Sequence, residues 1–100
     1  MQGEVGTVLK TADGVVGTSG KPVRIYALHI LSGGTAGEVK LKSGTSSSGT
    51  IYVQELCTVV STGNKFVYGE HGVLFPSGCY YEEVTDANVV STAISFEIEA

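Results

Sequence analysis

Apolar and polar positions alternate along much of this chain, and each alternating run stops at a cluster of turn residues. In Glu38-Val39-Lys40-Leu41-Lys42 every second residue is charged, the period of a strand with one wet and one dry face. Ile51-Tyr52-Val53-Gln54 begins a further strand of the same kind, and Leu56 to Val60 continues or follows it. Near the end, Ile94, Phe96 and Ile98 alternate with Ser95, Glu97 and Glu99, which sets the first three inward. Val23 to Leu31 breaks the rule, with Val23, Ile25, Ala27 and Leu31 on one face and Tyr26, Leu28 and Ile30 on the other. A strand apolar on both faces is expected either in the middle of a sandwich under a second layer, or with its outer face against another protein.

The punctuation between these runs is turn chemistry. Thr11-Ala12-Asp13-Gly14, Ser19-Gly20-Lys21-Pro22, Ser32-Gly33-Gly34-Thr35, Ser61-Thr62-Gly63-Asn64 and Pro76-Ser77-Gly78 supply the glycine, proline and short polar side chains that chain reversals need. Short strands are expected between them at Val15–Thr18, Phe66–Gly69, Gly72–Phe75 and Cys79–Val84, with the last strand at Ala93–Glu99. Glu4 to Lys10 forms a first strand weakened by Gly6, an edge or an arm. The organisation read from this pattern is all-β: a single β-sandwich, jelly-roll-like, of about seven to nine antiparallel strands with no long helix. Residues 1–21 make an N-terminal strand or arm with its turns, and residues 22–100 the sandwich body, in one domain.

Composition narrows the class. With 42% apolar and 16% charged residues in 100, the chain has enough hydrophobic material for one modest core and no polar tract long enough to stay unfolded. The first 65 residues hold all six bases and four acids, a net +2, whereas the last 35 hold six acids and no base, a net −6. Placed on different faces, those halves would let copies meet positive side to negative side; the alternative is an ordinary solvated acidic surface. Lys40 with Lys42 is too small a basic cluster for a phosphate backbone, so nucleic acid is not an expected partner. No basic-flanked apolar leader begins the chain, and no run approaches the roughly 20 residues of a membrane span, so no membrane association is expected.

Reactive constellations are sparse. His29, His71, Cys57 and Cys79 lack the close-paired spacing of a structural metal site, so neither metal nor other cofactor is expected, and the cysteines read as buried thiols rather than a disulfide. Gly44-Thr45-Ser46-Ser47-Ser48-Gly49-Thr50 has the glycine separation of a phosphate loop, but lacks its lysine and lies between two strands. Adjacent Glu82 and Glu83 point to opposite faces of a strand and cannot act as a facing acid pair. No Gly-x-Ser-x-Gly is present, and no catalytic residue is assigned. The tyrosines are a stronger lead, since each joins a large apolar area to a polar tip and suits a surface covered by a partner. With the outer side of the long strand they give a candidate protein interface of Tyr26, Leu28, Ile30, Tyr52, Tyr80 and Tyr81; the alternative is tyrosines at a core margin.

The succession Ile25-Tyr26-Ala27-Leu28-His29-Ile30, Gly33-Gly34-Thr35-Ala36-Gly37, Val39-Lys40-Leu41, Ser43 to Thr50, and Leu74-Phe75-Pro76-Ser77-Gly78-Cys79-Tyr80 resembles small virion structural proteins of tailed bacteriophages, over about residues 22 to 98. The resemblance implies a non-enzymatic jelly-roll-like module: a capsid decoration or cement protein, made in the host cytoplasm and located on the virion. The partners it implies are the major capsid protein and further copies of the chain, as a homotrimer. A tail or fibre part reading carbohydrate is the alternative.

Overall fold

The computed structural model describes residues 4–58, 63–84 and 88–99. Alternation becomes strand at nine places: β1 Glu4–Lys10, β2 Gly14–Val16, β3 Val23–Ser32, β4 Gly37–Ser43, β5 Ile51–Cys57, β6 Asn64–Val67, β7 Val73–Phe75, β8 Cys79–Glu83 and β9 Val89–Ile98. The expected turn at residues 61–64 ends earlier, because Asn64 already pairs with Ile30. The last strand begins four residues before Ala93. The expected continuation of β5 through Val59 and Val60, and the turn residues Ser61 and Thr62, lie outside the described residues.

The pairings are nested. β4 pairs with β5, β3 with β6 and β7, β2 with β8 and β1 with β9, all antiparallel, as if one long hairpin had been closed from its tip outward. Successive pairs fall in alternate sheets, and the β3–β9 and β4–β8 pairings join them. One sheet runs β1-β9-β3-β6 with β7 also on β3, and the other runs β2-β8-β4-β5. A hairpin rolled up in this way into two antiparallel layers is a jelly roll. β1, expected as an edge or an arm, is an edge strand paired with β9 along its whole length.

Nesting also disposes of the charge split. It brings the first half of the chain against the second, so Arg24 meets Glu99 at 3.0 Å and Lys42 meets Glu82 at 2.6 Å. The two ends of the sequence do not occupy opposite charged faces; their charges interleave.

Val16, Val23, Ile25, Leu28, Ile30, Val39, Leu41, Phe75, Tyr81 and Ile94 fill the space between the sheets, each fully buried. Burying one such aliphatic side chain stabilises the fold by about 1.5–3 kcal/mol. The packing depends on three register shifts. In β3, Ile25 faces Phe96 and Ala27 faces Ser95, so Tyr26 is an extra residue, and the inward set changes from Val23 and Ile25 to Leu28, Ile30 and Ser32. The same point divides the other edge of β3, where β7 pairs with Val23–Ile25 and β6 with Ala27–Ile30. The Tyr26 carbonyl accepts the Tyr68 amide at 2.9 Å in that gap. Gly72 makes the crossing from β6 to β7 at φ +62°, where a Cβ would stand 2.5 Å from the Ile25 carbonyl oxygen. Two further bulges set Val90 of β9 and Tyr52 of β5 out of register with their partners.

The Tyr26 bulge corrects the reading of β3 as apolar on both faces. Leu28 and Ile30 share the core with Val23 and Ile25, and the outer face carries Arg24, half-buried Ala27 and exposed His29. A strand that looked as if it had a spare greasy side has one dry face throughout.

Candidate functional site

The six residues expected at an interface separate into core and surface. Leu28, Ile30 and Tyr81 have no exposed area and cannot meet a partner; the first two are turned inward by the Tyr26 bulge, and Tyr81 by its parity in β8. Tyr26 is half-buried on the outer face, its hydroxyl donating to Glu97 at 2.6 Å, and this bond raises the phenol pKa above its ordinary value. Tyr80 is half-buried on the outside of β8, opposite Lys42 and Val15. Tyr52 is 45% exposed, with its ring centroid 5.1 Å from that of buried Phe75 in an inclined contact. The structure therefore does not gather the six into one patch.

A different set is gathered. Eight large apolar side chains are exposed among the described residues, and five of them, Ile51, Tyr52, Leu56, Val67 and Leu74, lie on β5, β6 and β7. Those strands form one long side of the sandwich: β5 ends one sheet, while β6 and β7 lie along the facing end of the other. Leu56 and Ile51 rim this side from the outer face of their sheet, and Val67, 65% exposed, and Leu74 rim it from the other. Contacts that cross between the layers here include the Tyr52–Phe75 ring pair and the Tyr68 hydroxyl donating to Glu55 at 2.8 Å. Burial and the Glu55 carboxylate both hold the Tyr68 phenol well above its ordinary pKa. The remaining three, Leu9, Val84 and Val90, lie at one end, where β1 and β8 leave the sandwich and β9 enters. Scattered exposed apolar residues are normal on any protein; two groups at the margins of a small sandwich are a pattern.

β5 is the most open of these strands. Among the described residues it pairs with β4 alone. Its sequence has neither lysine nor proline to blunt the edge, and the one interruption is the bulge at Tyr52. Its one carboxylate, Glu55, is engaged by Tyr68, and Gln54 donates across the sheet to Glu38. Sequence reading did not single out Leu56 as an exposed residue. The available signal was that Gln54 and Leu56 share a parity, so one side of β5 had to be mixed.

The interior carries a polar cluster that the pattern did not announce. The Tyr81 hydroxyl donates to Glu83 at 2.8 Å and lies 2.7 Å from the Thr92 hydroxyl, with all three side chains buried. Burial is the main cause of a Tyr81 pKa well above the ordinary phenol value; the Thr92 bond opposes the shift and Glu83 adds to it. Cys57 and Cys79 are buried thiols and are not joined in a disulfide. The Cys57 thiol donates to the Ile30 carbonyl at 3.3 Å, while burial pushes the Cys79 thiol up to about 12 against the opposing pull of the Lys10 ammonium.

Neither a ligand-sized cavity nor a cluster of three or more potential metal ligands occurs among the described residues. His71 is exposed, its carbonyl accepting from Arg24 at 2.7 Å. The serine loop between β4 and β5 is closed on itself and its surroundings: Lys42 donates to the Ser47 carbonyl, Gly44 to the Gly78 carbonyl, and Ser46 lies against Ser48. Among the described residues no helix is long and apolar enough to cross a membrane. No protein-family model, curated protein or solved structure matches this chain.

Proposed function

We propose that this chain is a non-enzymatic structural subunit of a tailed-bacteriophage virion, a decoration protein that binds the outside of the major capsid protein and reinforces the head. The observation that carries the reading is the placement of its exposed apolar side chains in two groups, one along the β5–β7 side and one at the β1–β8–β9 end. A subunit that covers a shell needs one surface for the shell and one for its neighbours, and a rigid sandwich holds two such surfaces at a fixed angle. The likeness to phage virion proteins in residues 22 to 98 supplies the class of assembly.

An antibody raised against the chain and applied to virions from its source culture tests this by gold labelling in the electron microscope. Label over the whole head at many copies per particle is the expected result. Label confined to the tail transfers the chain to a tail or fibre role, and particles without label overturn the virion reading.

A further inference from the structure

We draw no further inference here: the strongest candidate, the exposed apolar rim of Ile51, Leu56, Val67 and Leu74 along the β5–β7 side, carries nothing because nothing in the structure shows what covers it.

Discussion

The two long sides of this sandwich are closed by opposite means. Along the β1–β2 side the Lys10 ammonium reaches across to the Val15 carbonyl at 3.0 Å, so a charge and its stem cover the gap between the sheets. Along the β5–β7 side two tyrosines do the covering, Tyr52 by its ring on Phe75 and Tyr68 by its hydroxyl on Glu55, with exposed Leu56, Val67 and Leu74 at the rim. Both arrangements join the layers, but a lysine is costly to strip of water in an interface, whereas tyrosine and leucine gain from being covered. A side closed by tyrosines is thus already prepared for a partner, and a side closed by lysine is finished.

That contrast is most severely stressed by Phe75→Ala, which removes a fully buried ring and the support beneath Tyr52. It should destabilise the chain by about 3–5 kcal/mol in urea titration; a loss under about 1 kcal/mol would mean that the ring pair does not close this side. The next largest effect concerns the lysine side, where Cys79 pairs with Val16 of β2. Its folded pKa of about 12 lies above that of an unfolded thiol, so the unfolded chain releases this proton first as pH rises. The contribution is fully present below about pH 8.5 and is lost towards pH 12, so stability should fall across that window by the order of a few kcal/mol. Cys79→Val should flatten the early part of the decline, and an unchanged slope contradicts the assignment.

Smaller effects compare the two closures directly. Lys10→Met and Tyr68→Phe each delete one bond between the layers, at about 1 kcal/mol by differential scanning calorimetry. Each bond joins one charged group to one neutral group, Lys10 to a carbonyl and Tyr68 to the Glu55 carboxylate, so added salt should change the two losses alike. Leu56→Lys should cost the fold least, within about 0.5 kcal/mol, since nothing but the rim changes within one copy.

Much of the architecture was legible from alternation. The strands fell at the expected places because glycine and proline interrupt them, and Ile94, with Phe96 packed behind it, faces inward as its period requires. Three single-residue insertions in the pairing were not legible. A bulge such as the one at Tyr26 leaves the residue types unchanged but reverses which of them face the core, so Leu28 and Ile30 seemed to be surplus when they were central. The Tyr80-Tyr81 pair has the same lesson in reverse: adjacency required that the two point to opposite sides, but only the second sheet decided that Tyr81 would be buried beside Glu83 and Thr92. The candidate contact side eluded the sequence because its members come from three strands that only the nested pairing brings together. For the same reason the uneven charge along the chain says nothing about faces: Arg24 and Lys42 meet Glu99 and Glu82 inside one molecule.

The contrast between the two sides is tested most directly by amide hydrogen exchange measured on the free chain and on the chain bound to heads. Protection of residues 53–56 in β5 should rise on binding, while that of residues 5–8 in β1, the comparable edge on the lysine side, stays constant. Unchanged exchange at β5, or protection gained at residues 5–8 instead, would contradict the account.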